Sequence, residues 1–336
     1  MDQVRRLWTA HPGWLLAAGA VAVAGALAPR LAGDALQFAG WSLLEMAPII
    51  GLAVLLSALV RASGADDLLS RAFARRGTAA IVLSAGLGAI MPICGVGVLP
   101  IIAGLLGAGV PLAPVMAFWL ASPVTDPAML TITAGTLGLP FAIGKTMLAG
   151  LIGLCGGAAT AIMIRAGAFG RPLRRAMRRS AVAGQGRGLV LSFWREPERR
   201  ALFRRDAQDA ALLILKWLSV AFLLEGLLRD HLPAELVAGV VGQGNAWAIP
   251  LAVGLGAPIY LDGYAALPLV RGLMDMGMTP GAAMAFLIAG GITSLYASIA
   301  VFAVVRGAVF LWYLALALAL SLAAGYAWEL LAPLVG

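Results

Sequence analysis

Long stretches of hydrophobic residues alternate with short polar segments along almost the whole chain. A stretch of about 20 apolar residues is long enough to cross a bilayer as an α-helix. Such stretches occupy residues 13–29, 41–60, 112–135, 140–164, 210–228, 281–304 and 308–328. The pattern predicts an all-α, polytopic membrane protein.

The composition supports this prediction. Of the 336 residues, 61% are hydrophobic and 12% are charged, and the mean hydropathy is +0.94, whereas a soluble domain contains about 25% charged residues.

The first span follows Arg5 and Arg6 and has no clean cleavage site after it, so we expect an uncleaved helix rather than a signal peptide. The two cysteines, Cys94 and Cys155, form neither a disulfide framework nor a metal motif, and no cofactor is expected.

Positive charge is concentrated in one polar segment. Residues 165–205 contain twelve arginines, opposed by Glu196 and Glu198. Such a run can bind nucleic acid, but cytoplasmic loops of membrane proteins carry the same excess and contact anionic lipid head groups. We interpret it as a cytoplasmic loop whose partners are lipids.

The predicted organisation is an extra N-terminal span (1–40), a first repeat (41–165), the basic loop (166–208) and a second repeat (209–336).

The two halves of the chain are related in sequence. An offset of 168 residues aligns GLGA at 86–89 with GLGA at 254–257, and MAF at 116–118 with MAF at 284–286. Between residues 78 and 135 this offset pairs identical residues at 18 of 58 positions. A shared apolar composition does not explain so many identities, so the chain contains an internal repeat.

The positions of the arginines predict that the two repeats are inverted. The positive-inside rule places Arg5, Arg6 and the basic loop on the inner side, so segment 79–110 must enter and leave on one face. It does so as a re-entrant hairpin broken near PICGVG (92–97), or as two short full crossings. The equivalent hairpin covers 247–278, with its tip in PIYLDGYA (258–265). Inverted repeats with helices broken at mid-membrane recur in secondary transporters.

Broken backbone at membrane depth is tolerated where it is buried in protein or lines a cavity. Ionisable residues there are costly and usually functional. We therefore predict no catalytic or metal site but a substrate-binding site made of both hairpin tips, the SPVTDP segment (122–127) and its repeat equivalent. Its residues are Cys94, Gly95, Gly97, Ser122, Thr125, Asp126, Tyr260, Asp262, Gly263, Thr293 and Ser294.

Several of these residues have an alternative structural role. Asp262 could carry a proton or bind a cation, or it could only cap the half-helix that follows. Cys94 could contact substrate or fill a tight turn, and Thr125 and Thr293 could bond back to their own backbone. We expect Cys155 to pack between helices. Four further charged residues are expected to lie near span ends or to snorkel: Glu45, Lys145, Lys216 and Glu225.

The segment PxCGxGxxPxxxGLLxxGVP, followed by FWLASPVTDP and a second similar hairpin, resembles the predicted-permease family that includes YraQ and the ArsP organoarsenical efflux permeases. The resemblance covers most of the chain and is strongest over 86–130 and 254–300. It implies an inner-membrane permease, and for ArsP-type members it implies trivalent methylated or aromatic arsenicals as substrates. The family tip often carries two cysteines in a CSCG-like pattern, whereas here Cys94 is followed by Gly95, Val96 and Gly97.

The sequence favours a transporter over an enzyme or a pump. It contains no phosphate-binding GxxxxGK[ST] loop, and the histidines, His11 and His231, lie outside the spans. We expect a proton-coupled secondary transporter for a small solute, such as efflux of a trivalent organoarsenical or of a related soft or anionic solute. An uptake permease for anions or sulfur compounds, and a channel, remain the alternatives. The direction of transport and assembly into a homo-oligomer stay open.

Overall fold

The computed structural model describes residues 29–63, 65–90, 98–107, 109–124, 127–169, 190, 193–228, 247–259, 263–294, 298, 301–302 and 304–335. These residues form α-helices and one short 3₁₀ turn, with no strand among them, which confirms the predicted helical class. The helices are α1 (Pro29–Ser63), α2 (Ala65–Ile90), α3 (Leu99–Gly107), α4 (Leu112–Ala121), α5 (Pro127–Leu137), α6 (Leu139–Arg165), α7 (Pro197–Leu228), α8 (Ala248–Ile259), α9 (Gly263–Asp275), α10 (Pro280–Thr293) and α11 (Gly307–Val335).

Two helices match predicted spans closely. Helices α6 and α11 correspond to the spans at 140–164 and 308–328, and within the described residues they are the two helices long and apolar enough to cross a membrane. Helices α1 and α7 contain the predicted spans 41–60 and 210–228 but begin earlier, at Pro29 and Pro197. The last part of the predicted basic loop is therefore helical. All but the final residue of the span at 13–29 lies outside the described residues.

Two other predicted spans are interrupted within their length. In the span at 112–135, α4 ends at Ala121 and α5 begins at Pro127, because Pro123 and Pro127 have no N–H to donate to the helical ladder. In the span at 281–304, α10 ends at Thr293 and Ser294 adopts an extended backbone (ψ 144°). The second break begins four residues later than the equivalent of the first, because α10 continues to Thr293 whereas α4 ends at Ala121.

The helix boundaries repeat at the same 168-residue offset as the sequence. Helices α1 and α7 begin 168 residues apart, as do α4 and α10, and α6 and α11, while α3 and α9 end 168 residues apart. Helix α2 is kinked at Gly77, which has a positive φ of 48° that favours glycine, and its apolar part after the kink corresponds to α8.

The identities shared by the repeats lie at helix contacts. A Cβ on Gly88 would stand 2.6 Å from the carbonyl oxygen of Phe118, and a Cβ on Gly256 would stand 2.8 Å from the carbonyl oxygen of Phe286. The second glycine of each GLGA motif therefore lets its helix touch the backbone of the MAF helix. Small residues allow membrane helices this close approach.

A second pair of equivalent glycines brings the long helix of each repeat against the two helices that carry the GLGA and MAF motifs. Gly157 on α6 lies against Ile81 and Ala117, and Gly325 on α11 lies against their equivalents, Ile249 and Ala285. Each repeat thus packs three helices through equivalent contacts: α2, α4 and α6 in the first, and α8, α10 and α11 in the second.

Helices α6 and α11 also contact each other across the two repeats. The indole Nε1–H of Trp312, near the start of α11, donates to Thr160 Oγ1, near the end of α6, at 3.0 Å. Gly144, near the start of α6, lies against the ring of Trp328, near the end of α11. Because Gly144 and Trp312 are repeat equivalents, as are Thr160 and Trp328, the two contacts are images of each other. The equivalent helices therefore pack antiparallel.

The end of the basic segment is tied to the end of α1. Arg199 donates from Nη1 to the carbonyl oxygen of Ala62 at 3.1 Å and pairs through Nε with Glu196 at 2.7 Å. The N–H of Val190 donates to the carbonyl oxygen of Ser63 at 2.9 Å. These bonds satisfy carbonyl groups that a helix C-terminus leaves without partners.

Candidate functional site

The two helix breaks place small polar side chains in the interior of the protein. At the first break, Ser122 is 1% exposed and its N–H donates to the carbonyl oxygen of Phe118 at 3.0 Å. At the second break, Thr293 and Ser294 are also buried, and the N–H of Ser294 donates to the carbonyl oxygen of Gly290 at 3.1 Å. In both places polar groups face protein rather than solvent.

The first break contacts the last turn of α10, just before the second break. The carbonyl oxygen of Pro123 lies 2.9 Å from the position that a Cβ would take on Gly291. Pro123 and Gly291 are repeat equivalents. Ser122 directly precedes Pro123, and Thr293 and Ser294 follow Gly291 by two and three residues, so these three residues flank the contact, which we call the junction of the breaks.

A pair of aromatic side chains links the repeats beside this junction. Trp119 on α4 stacks on Tyr313 of α11, with ring centroids 4.5 Å apart and planes 21° apart. The Tyr313 hydroxyl donates to the carbonyl oxygen of Ile292 in the last turn of α10. Trp119 is completely buried, and its Nε1–H finds no hydrogen-bond partner among the described residues. Since an unsatisfied buried donor is costly, this indole is a candidate contact for a ligand.

Lys145 is the most unexpected polar residue of the interior. It is 1% exposed, and Nζ is buried. The expectation that it snorkels to the surface is therefore wrong, because neighbouring helices cover that face of α6. Lys145 is also the repeat equivalent of Tyr313, so the long helix of each repeat carries one buried polar side chain at the same position.

The described residues cover part of the predicted site. Ser122, Thr293 and Ser294 lie at the junction of the breaks, and the Thr293 hydroxyl donates to the carbonyl oxygen of Ala289 at 2.7 Å. Gly263 begins α9, which packs against α5 of the other repeat. The remaining predicted residues lie outside the described part of the chain: Cys94, Gly95, Gly97, Thr125, Asp126, Tyr260 and Asp262.

Two further expectations about single residues can be compared with the structure. Cys155 is exposed on α6, so the expectation that it packs between helices is wrong: the contacts of α6 with α4 are made by its glycines. Glu45 is exposed, as expected for a residue outside the core, and the side chains of Lys216 and Glu225 lie outside the described set.

Sequence reasoning missed Trp119 and Tyr313 and undervalued Lys145. Aromatic residues in an apolar span are indistinguishable by pattern from packing residues. The repeat offset carried a usable signal, because it pairs Lys145 with Tyr313, two polar side chains at one position of otherwise apolar helices.

Comparison with known proteins places the chain in a family. The family model ArsP_1, described as a predicted permease, matches residues 31–330. The chain belongs to the ArsP_1 family of predicted permeases. Permeases are membrane proteins, so membership supports a transporter rather than an enzyme and agrees with the resemblance found in the motifs.

Two ArsP_1-type relatives carry family names that state no substrate. UPF0718 protein YcgR of Bacillus subtilis is 32% identical over 88 residues, which cover 26% of this chain and 30% of that protein. UPF0718 protein MJ0584 of Methanocaldococcus jannaschii is 26% identical over 143 residues, which cover 41% of this chain and 39% of that protein. The alignments thus span about a third of the length of each relative. No solved structure matches the chain.

Proposed function

We propose that this ArsP_1 member is a secondary transporter that moves a small solute across the bacterial inner membrane. The observation that carries the proposal is the contact of the first helix break, at Pro123, with Gly291 in the last turn of α10, three residues before the second break. Secondary transporters commonly bind solute where interrupted helices of two repeats meet near the middle of the bilayer. Buried polar groups at such a junction offer hydrogen bonds that the surrounding apolar helices do not.

The two repeats would be inverted with respect to the membrane. Helices α6 and α11 are equivalent and long enough to span, and their mirrored contacts make them antiparallel. If both cross the bilayer, they cross it in opposite senses, as the positions of the arginines also require. Alternating access would then consist of one repeat moving against the other around the junction of the breaks.

The segments 79–110 and 247–278 would be re-entrant hairpins. Helices α3, α8 and α9 contain 9, 12 and 13 residues. At 1.5 Å per residue each is about 20 Å long or shorter, whereas the hydrocarbon core is about 30 Å thick. Arms of this length reach toward mid-membrane and return on the same face, which favours the hairpin over two full crossings.

For the solute, we propose a trivalent organoarsenical carried outward in exchange for protons. Support comes from the family of the chain and from Cys94 in the first hairpin tip, since thiolates bind soft metalloids. The second candidate is uptake of an anion or a sulfur compound, since the N-termini of half-helices that start at the hairpin tips would favour an anion. A channel is the remaining alternative, and it differs in giving ohmic conductance instead of saturable flux.

The test is uptake of a trivalent methylarsenical into everted membrane vesicles energised by a proton gradient. Wild-type protein should give saturable uptake, and Cys94→Ser should lose it at unchanged membrane abundance because serine is nearly isosteric with cysteine but lacks the soft sulfur. Cys155→Ser is the matched control and should remain active, since Cys155 is exposed on α6. Full activity of Cys94→Ser would remove the thiol from the mechanism, and conductance without saturation would indicate a channel.

A further inference from the structure

Trp119 carries a buried hydrogen-bond donor whose presence the packing of the helices does not explain. Its side chain is 0% exposed, and Nε1–H has no hydrogen-bond partner among the residues that the structure describes. The 168-residue offset pairs Trp119 with Leu287, which is equally buried and has no polar atom in its side chain. The position can therefore be filled without a donor. Because an unsatisfied buried donor destabilises the folded protein, the N–H requires an explanation other than packing.

The ring of Trp119 is held in place by the other repeat. It stacks on the ring of Tyr313 from α11, with centroids 4.5 Å apart and planes 21° apart. The Tyr313 hydroxyl donates to the carbonyl oxygen of Ile292, and this bond fixes the tyrosine in turn. A side chain that is already fixed loses little conformational freedom when a ligand binds to it, so its contact contributes more to affinity.

The stacked pair runs beside the junction of the breaks. Trp119 lies in the last turn of α4, four residues before Pro123, and Ile292 directly follows Gly291. The pair thus connects, through Tyr313, the same two helix ends that touch directly at Pro123 and Gly291. Since a helical turn contains 3.6 residues, Trp119 stands about one turn from the junction.

We propose that the indole N–H of Trp119 donates a hydrogen bond to an oxygen or sulfur atom of the transported solute at the junction of the breaks. This inference rests on the proposed function, because it assigns a contact and a chemical class to the same site. The indole nitrogen is a donor only, so it selects solutes that carry an acceptor atom, such as the hydroxyl oxygens of methylarsonous acid or the oxygens of thiosulfate. An acceptor of the chain outside the described residues is the alternative partner, and it predicts a different effect on stability.

The experiment compares Trp119→Phe with Trp328→Phe, since phenylalanine keeps an aromatic ring but has no N–H. Trp328 is the matched control. Its Nε1 is also buried without a hydrogen-bond partner among the described residues, but it lies against Gly144, near the end of α11. The melting temperature of each purified full-length protein is measured in detergent with and without methylarsonous acid or sodium thiosulfate. Sodium chloride keeps the ionic strength constant.

A ligand that binds the folded state raises the melting temperature. At least one probe should therefore stabilise the wild type and Trp328→Phe, and Trp119→Phe should lose most of this shift. The inference is overturned if neither probe stabilises the wild type, or if Trp119→Phe responds as strongly as the wild type does.

The melting temperatures without a probe test the alternative partner. The two variants should then be similarly stable, because each loses a donor without breaking a hydrogen bond. If Trp119 bonded an acceptor of the chain, Trp119→Phe would leave that acceptor buried and unsatisfied. A melting temperature of Trp119→Phe well below that of Trp328→Phe would therefore overturn the inference.

A flux measurement in everted vesicles separates this inference from the proposed function. Trp119→Phe should raise the KM for the transported probe about 2- to 10-fold, which corresponds to the net contribution of one hydrogen bond. Wild-type flux that Trp119→Phe leaves unchanged would contradict only the role of Trp119. Probe binding that depends on Trp119, without any flux in the wild type, would contradict the transporter and leave a binding site.

Discussion

The carbonyl oxygen of Pro123 and the α-carbon of Gly291 face each other so closely that a Cβ on Gly291 would stand 2.9 Å from that oxygen. The two residues are equivalents in the repeat. In an assembly of two related halves, a residue contacts its own equivalent only near the two-fold axis. The proposed inverted arrangement would therefore place its two-fold axis beside Pro123 and Gly291.

Gly291→Ala should push the last turn of α10 away from the first break at Pro123. Its Cβ would meet a backbone oxygen, which cannot rotate away as a flexible side chain can, and overpacking of this kind costs about 1–3 kcal/mol. We expect a lower melting temperature and loss of solute flux. Gly254→Ala is the control, because nothing lies within 4 Å of its Cβ position. Wild-type stability and flux in Gly291→Ala would show that the contact is unimportant.

The two glycines of each GLGA motif should respond in opposite ways to alanine. Gly88→Ala and Gly256→Ala place a methyl group against the backbone of Phe118 and Phe286 and should destabilise the protein. Gly86→Ala and Gly254→Ala meet open space and should be neutral or stabilising by about 0.5–1 kcal/mol, since alanine favours the helix. Thermal unfolding of the four variants measures this difference. Equal effects at both glycines of a motif would contradict the packing described for it.

Labelling of single cysteines should reveal the inverted orientation. In a background lacking Cys94 and Cys155, Leu139→Cys marks the start of α6 and Leu334→Cys marks the end of α11. Because these helices are antiparallel, both positions should react with impermeant maleimide from outside intact cells. Ala166→Cys, at the other end of α6, should react only after the cytoplasmic side is opened. Reaction of positions 139 and 334 from opposite sides would contradict the inversion.

Replacing two carboxylates by neutral amides should separate binding of the solute from coupling of its transport to protons. Asp126→Asn and Asp262→Asn keep the shape of the side chain but remove a group that can exchange a proton. We expect flux driven by a proton gradient to fail while solute binding partly survives. Asp275→Asn is the control, because Asp275 is exposed and pairs with Arg271 at 3.2 Å at the end of α9. Unchanged, pH-dependent flux in the first two variants would exclude them from coupling.

The sequence by itself determined the features that depend on local chemistry. Proline marks the break after α4 because it has no N–H to donate to the helical ladder wherever it stands. The 168-residue repeat was readable because equivalent contacts select the same residue types, such as the second glycine of each GLGA motif. The helical class and the long spans at α6 and α11 follow from the length of the apolar stretches.

Only the tertiary structure decided which faces of these helices are covered. Lys145 and Cys155 lie on the same apolar helix, yet the first is buried and the second exposed. No pattern within α6 predicts this difference, because a helix in a membrane is apolar toward both lipid and protein. The contact of Pro123 with Gly291 and the stacking of Trp119 on Tyr313 join residues from different repeats. Such contacts depend on how the two halves pack together, which local sequence does not encode.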